Sequence, residues 1–234
     1  MAEISKTADQ VLQVLHYVAE HGPVTASQTA RDLAMHRTVV HRALATLHGR
    51  GFVRRSSDGY VPGVALLRIA QKVEPELLGA ARPVLEKLGQ NYGETFILTV
   101  CDGDDAVQIE QFVGKEHFVR VELARGFRHP LVKGASGRAI LAFLPADRIA
   151  QLIEQVPKRK EMVAALQKVK RDGYAISHDE LSLDMYGLSA PVFSGRSAIA
   201  SIGVVVPSGR SDQLADLAMA IVKAGAQVGR ALGK

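Results

Sequence analysis

The chain has 234 residues, more than the roughly 60 to 80 of a single helix-turn-helix module and enough for two ordinary domains. Apolar residues make up 47% and charged residues 23%, which excludes wholesale disorder, and the single cysteine, Cys101, excludes an internal disulfide framework and a Cys-rich zinc module. The net charge of +5 is unevenly spread: residues 1–75 hold nine Lys/Arg against six acids, and Arg31 to Arg55 brings six arginines against Asp32 alone, the density expected of a phosphate-facing surface.

In chain order, the first ten residues are too polar for a signal peptide, and no apolar run approaches the roughly 18 to 20 residues that span a bilayer, so a cytoplasmic protein without a membrane partner is expected. Thr7 to Gln10 fits a capping box opening a helix whose apolar residues Val11, Leu12, Leu15 and Val18 share one side, ending near Gly22. Thr25 to Gln28 offers a second capping box, for a short helix stopping at Ala34-Met35. From His36 to Gly49, Val40, Ala43, Leu44 and Leu47 would bury one side and leave Arg37, Thr38, His41, Arg42 and Thr46 on the other. Phe52–Arg55 and Tyr60-Val61 flank an Asp58-Gly59 pair, which favours a tight hairpin turn.

Three short helices, a donor-rich third helix and a basic hairpin make a winged helix-turn-helix that would bind double-stranded operator DNA, with Thr25, Arg37, Thr38, His41, Arg42 and Thr46 at the groove and Arg54 and Arg55 on the wing. These residues resemble the IclR-type bacterial transcription regulators. The family's recognition stretch reads roughly Leu-Pro-Lys-Ser-Thr-Val-x-Arg-Leu-Leu-x-Thr-Leu, then Gly-Leu-Val. Here it is Met35-His36-Arg37-Thr38-Val39-Val40-His41-Arg42-Ala43-Leu44-Ala45-Thr46-Leu47, then Gly51-Phe52-Val53. His36 replaces the usual Pro and Val39 the usual Ser/Thr, departures that bear on how the third helix begins.

Residues 63–89 read as a linker helix interrupted near Pro75 and Pro83. Strand-like runs follow at 95–101, 106–113 and 118–123 as a meander, then helices at 135–143, 147–155 and 161–171. Strands are expected at 174–177, 188–193 and 198–207, with a closing helix over 211–232. The fold class is therefore α+β, with a winged helix-turn-helix at 1–63, a linker helix at 64–80 and an antiparallel-sheet domain at 81–234.

The resemblance continues in His129-Pro130-Leu131, in Ala135-Ser136-Gly137-Arg138-Ala139-Ile140-Leu141-Ala142, in Gly173-Tyr174-Ala175-Ile176-Ser177 with Glu180, and in Ala190-Pro191-Val192. It implies a GAF-like domain binding a small-molecule effector, in a pocket at Gly134, Ala135, Ser136, Ser177, Gly187, Ser189, Gly203 and Val205. Small-acid sensors of this type resemble one another in carrying Asp at position 177, Cys at 187 and Ser at 203 and 205. The residues here imply a roomier, less polar pocket for an organic acid with a ring or extended apolar body.

Gly134-Ala135-Ser136-Gly137-Arg138 approaches a nucleophile elbow, but Arg stands where the fifth glycine belongs and no His/Asp partner is indicated, so a pocket hydroxyl or helix cap is the expected role of Ser136. Asp179 and Glu180 read as solvated or capping carboxylates, and Cys101 as a small buried apolar residue. No metal-ligand spacing emerges among the eight histidines and no cofactor is expected; a ligand-responsive regulator, not an enzyme, is the expectation, the alternative being a small-molecule-metabolising enzyme with an appended DNA-binding-like domain. A lone winged helix contacts too few base pairs to select a site, so a homodimer or dimer of dimers is implied.

Overall fold

The computed structural model describes residues 4–233, which divide into two compact units, one through Pro75 and one from Glu76. In the first, α1 (Lys6–His21) has Ser5 as N-cap without a side-chain bond, so the expected Thr7 box does not form. The buried stripe is Val14 and Val18; Leu12 lies outside, 55% exposed, because one residue of helix rotates the face by about 100°. The second box does form. Thr25 Oγ1 accepts from Gln28 N at 3.2 Å and Gln28 Oε1 accepts from Thr25 N at 2.8 Å, opening α2 (Ala26–Asp32). Ala34, at φ +50°, turns the chain into α3 (Arg37–Gly49), where the His36 side chain caps Thr38 N at 3.3 Å in place of the family's proline. Val40, Ala43, Leu44 and Leu47 of α3 meet Val14, Val18, Ala30 and Val53 in one core.

The wing is β1 (Val53–Ser56) paired antiparallel with β2 (Gly59–Pro62). Val24 and Tyr60 exchange backbone hydrogen bonds at 3.1 and 2.8 Å, anchoring the hairpin to the α1–α2 connection. Gly59, at φ +144°, is required there because a Cβ would sit 2.5 Å from Val24 O. The linker is not one helix: α4 (Ala65–Ala70) buries no residue and stops, and α5 (Pro75–Tyr92) restarts at proline, which suits a first helical position. Pro83 does not interrupt α5.

The second unit is built on one antiparallel sheet in the order β5-β4-β3-β8-β7-β6, from β3 (Thr95–Asp102), β4 (Asp105–Phe112), β5 (Arg128–Pro130), β6 (Ala175–His178), β7 (Met185–Ser194) and β8 (Ser197–Pro207). Period-2 alternation sorts the side chains. Phe96, Leu98, Leu188, Ala190, Ile202 and Val204 pack with α5 and α9 (Leu214–Leu232) on one face. The other face receives α6 (Gly134–Leu141), with α7 (Ala146–Leu152) and α8 (Arg159–Asp172) outside it.

The expected strand at 118–123 does not form. Phe118 and Val119 are exposed, so the alternation there finds no partner strand. Side chains hold this connection instead: Gln111 Oε1 accepts from Leu123 N at 3.3 Å, Gln108 Nε2 donates to Leu123 O at 3.0 Å, and Arg125 pairs with Glu110.

Candidate functional site

On the first unit, Arg37, Thr38, His41, Arg42 and Thr46 of α3 are all exposed, as are Thr25, Arg54 and Arg55. The four buried apolar residues span less than half the circumference of α3, which leaves a polar arc opposite them. Within that arc Arg42 and Thr46 border a groove of about 200 Å³ against Thr7, Gln10 and Val11 of α1, while Arg37 and His41 lie toward the other side. The Thr46 hydroxyl donates to Arg42 O at 2.9 Å and so faces outward mainly as an acceptor. Arg31–Asp32, at 3.0 Å, is the one ion pair of this unit among the described residues, so Arg37, Arg42 and Arg54 keep their guanidinium donors for an external partner. On the wing, Arg55 stacks 5.5 Å above the Tyr60 ring and donates to its hydroxyl at 3.2 Å, a rigid presentation that Arg54 lacks.

In the second unit, Ala135, Ser136, Ser177, Gly187, Ser189 and Val205 converge on one cavity between α6 and the sheet. Gly134 and Gly203 do not line it. Gly134 bends the chain into α6 at φ +70°, and a Cβ at Gly203 would overlap the Ser189 hydroxyl and approach Leu188 O to 2.6 Å. The expectation of a roomy pocket fails. The cavity holds about 20 Å³, because Ser177 Oγ stands 3.1 Å from where a Gly187 Cβ would be, Ser189 fills the space beside Gly203, and Leu123, Phe127 and Leu181 close the mouth.

The cavity is also more polar than expected, since Thr99, Gln108 and His129 join the serines. The sequence names His129 only within a family-like stretch, and none of the three is among the expected pocket residues. Thr99 carries a signal, a polar residue within the apolar run of β3, whereas Gln108 and His129 stand on strands with other polar residues and carry none. Two of them are unsatisfied: Thr99 Oγ1 and Gln108 Oε1 are buried without a hydrogen-bond partner. Because Gln108 Nε2 donates to Leu123 O and Gln111 Oε1, its free oxygen is fixed as an acceptor looking for a donor.

His129 supplies the partner that sequence reading did not find for Ser136, with Nε2 3.1 Å from Ser136 Oγ. Burial pushes the His129 pKa below its ordinary 6.5, which favours neutral imidazole, and Nδ1 lies 3.2 Å from Pro130 O, so the serine hydroxyl donates to Nε2. A backbone carbonyl orients the ring where a catalytic triad would place a carboxylate. Ser136 is thus a buried hydroxyl in the first turn of α6; the N-cap position belongs to Lys133.

Glu180 does act as a cap. It accepts from Gly134 N at 2.9 Å and pairs with buried Arg138 at 2.5 Å, whose other arm donates to Ile176 O at 2.6 Å. Asp179 caps its own loop by accepting from Asp184 N at 2.7 Å. Glu94, 2% exposed, is held by Arg210 at 2.5 Å and lies 3.3 Å from His117. Burial alone would raise the Glu110 carboxyl, but hydrogen bonds from Arg82 and Arg125 outweigh it and hold the pKa below its ordinary 4.5. Cys101, half-buried near the end of β3, has its thiol pushed up by burial, as an inert apolar residue would. Among the described residues no cluster is placed to hold a metal ion, and no helix is long and apolar enough to cross a membrane.

Comparison with known proteins agrees with this layout. Residues 7–57 match the IclR helix-turn-helix domain and residues 72–230 the bacterial transcriptional regulator IclR C-terminal domain. The HTH-type transcriptional regulator KipR of Bacillus subtilis is 28% identical, over all of this chain and 99% of its own length. The transcriptional repressor IclR of Escherichia coli is 25% identical over 95% of this chain and 88% of its own. Among solved structures, an IclR homologue from Microbacterium hydrocarbonoxydans complexed with 4-hydroxybenzoate superposes with a TM-score of 0.85 at 20% identity, covering 97% of this chain and 99% of that one. An IclR regulator from Alicyclobacillus acidocaldarius gives 0.83 at 21%, covering 99% and 100%. The named relatives are regulators and repressors, not enzymes, and the chain belongs to the IclR family of bacterial transcription regulators, with an N-terminal DNA-binding and a C-terminal effector-binding domain.

Proposed function

We propose that this regulator reads its operator through Arg37, Thr38, His41, Arg42 and Thr46 of α3, with Thr25 and the wing arginines Arg54 and Arg55 on the backbone, and that its effector is a hydroxyl-bearing organic acid, with aromatic carboxylates the first class to try. The observation that carries the effector reading is the pair of orphaned atoms. Gln108 Oε1 calls for a donor and Thr99 Oγ1 for either partner, which a ligand hydroxyl satisfies. The first turn of α6 supplies backbone N–H groups and a favourable dipole for the carboxylate beside Ala135 and Ser136. The 4-hydroxybenzoate bound by a structural relative has both groups. A ring exceeds about 20 Å³, so binding requires Leu123, Phe127 and Leu181 to swing outward.

A cytoplasmic homodimer or dimer of dimers fits the DNA reading, since two winged helices are needed to select one site. The exposed apolar residues Val64, Leu67 and Ile69 of the α4 segment supply apolar surface for such contact. Gel-shift titration of the DNA upstream of the protein's own gene, repeated with hydroxylated and plain aromatic acids, tests the reading. Binding should respond to the hydroxylated acids and the acid should be recovered unchanged; response to glyoxylate-sized acids alone would overturn the effector class.

A further inference from the structure

We infer that the second unit carries a second small-molecule site, distinct from the effector cavity: a groove between α8 and the edge strand β6 that takes an apolar-bodied carboxylate. The groove encloses about 610 Å³, within the roughly 300 to 1,000 Å³ of small-ligand pockets and far above the 20 Å³ between α6 and the sheet. Its wall is apolar, formed by Met162, Ala165 and Val169 of α8 with Tyr174 and Ile176 opposite. Met162, Ala165 and Val169 fall at i, i+3 and i+7, one stripe of a helix whose Leu166 and Val169 are seated in the core.

Charge selects the occupant. The groove lining sets Arg138, Lys158 and Lys168 against Glu161 and Glu180, and residues 158–172 as a whole carry six Lys/Arg against Glu161 and Asp172, so the balance over the groove is positive. Lys158 is paired with Glu161 at 3.3 Å, whereas Lys168, on the groove lip, has no ion pair among the described residues. Deeper in, Arg138 is 9% exposed and lines the groove beside Glu180; it spends one N–H on Glu180 and one on Ile176 O, which leaves three of its five donors without a partner among the described residues. An apolar wall with two cations at the lip and floor matches a carboxylate head on an acyl or aryl body. A peptide added as a further strand fits less well, because β6 has four residues and its Ile176 carbonyl is already taken by Arg138.

Calorimetric titration of the full-length protein with octanoate and with 4-phenylbutyrate, using octan-1-ol as the uncharged comparator, tests this site. Saturable binding to one site per chain is expected. Ala165→Phe should fill the groove and weaken both acids by about tenfold or more, and Lys168→Glu should weaken the acids by about tenfold while leaving the alcohol nearly unchanged. Gly187→Ala adds a methyl to the effector cavity, 3.1 Å from Ser177 Oγ, and should leave these affinities within about twofold while blunting the effector response in gel shift, so the two sites fail separately. Lys168→Glu, an exposed change, decides the matter if Ala165→Phe does not fold. Absence of saturable binding, loss in Gly187→Ala with retention in Lys168→Glu, or a smaller assembly on sedimentation of Ala165→Phe, which would mean that a second copy covers the groove, would each overturn the inference.

Discussion

The two units use arginine in opposite ways. In the first, Arg37, Arg42 and Arg54 stand in solvent with no carboxylate beside them, and Arg55 leans on a tyrosine. In the second, Arg82 and Arg125 clamp Glu110, Arg128 bridges Asp102 and Asp105, Arg138 holds Glu180, Arg148 holds Asp104 and Arg210 holds Glu94. Of these carboxylates Glu94 and Glu110 are buried, and there the cation is an internal staple; a cation with no acid nearby is available to phosphate. Sequence charge counts cannot separate the two, because nearly every acid that silences an arginine in the second unit lies far away along the chain.

That contrast can be broken most forcefully at Arg210. Replacing it with Ala leaves the Glu94 carboxylate buried with only His117 nearby and should cost about 3 to 5 kcal/mol in the second unit, read as a lowered unfolding midpoint. A loss below about 1 kcal/mol, the scale of a surface pair, would show that this arginine is no staple. Arg37→Ala or Arg42→Ala should do the reverse, leaving the unfolding midpoint in place and weakening operator binding by roughly 1 to 3 kcal/mol, with relaxed sequence preference at a base reader. Arg54→Ala should instead lower the salt slope by about one without altering preference. Operator affinity unchanged in the Arg37→Ala/Arg42→Ala double variant would remove α3 from the groove.

A smaller effect sharpens the first unit's side of the comparison. Thr25→Ala removes the side-chain half of the α2 box, the bond that Thr25 Oγ1 accepts from Gln28 N, and should lower its stability by about 1 kcal/mol, measured by denaturant titration. The last expectation concerns pH. Burial lowers the His129 pKa, so the unfolded chain binds the proton more readily, and stability is present above the ordinary 6.5 and lost as pH falls below it. Glu110, held below 4.5 by its arginines, adds a second loss only in the more acid range. Unfolding midpoints at pH 8, 5.5 and 3.5 should therefore fall in two steps, and His129→Gln should flatten the first alone.

Legibility in the sequence followed the same divide. The first unit is made of local signals: the Thr25 box, the Val40-Ala43-Leu44-Leu47 stripe and the Asp58-Gly59 turn each lie within a few residues of what they determine. Where reading slipped, at the start of α1 and at Leu12, two neighbouring caps and two neighbouring faces competed within one turn. In the second unit six of the eight expected effector residues do converge, yet the cavity's size and polarity were hidden. Both depend on cross-strand neighbours such as Ser189 beside Gly203, and on Gln108 and His129, whose inward register appears only once β4 and β5 are paired. The 118–123 segment misled because alternation alone cannot reveal whether a partner strand exists.

Helix α6 carries a kinetic consequence. Its eight residues are all buried, and of its two glycines Gly137 costs about 1 kcal/mol of helix propensity relative to alanine, while Gly134, at φ +70°, only bends the chain into the helix; helices this short do not persist alone in water. Gly137 cannot be improved, since a Cβ would come within 2.6 Å of Leu131 O. The helix therefore exists only because the sheet surrounds it, and it should condense late on the folding pathway, after α5, α9 and the central strands have collapsed. Mutations such as Ala139→Gly should then accelerate unfolding while barely slowing refolding, a φ-value near zero, although the same amides should be among the last to exchange in the native protein.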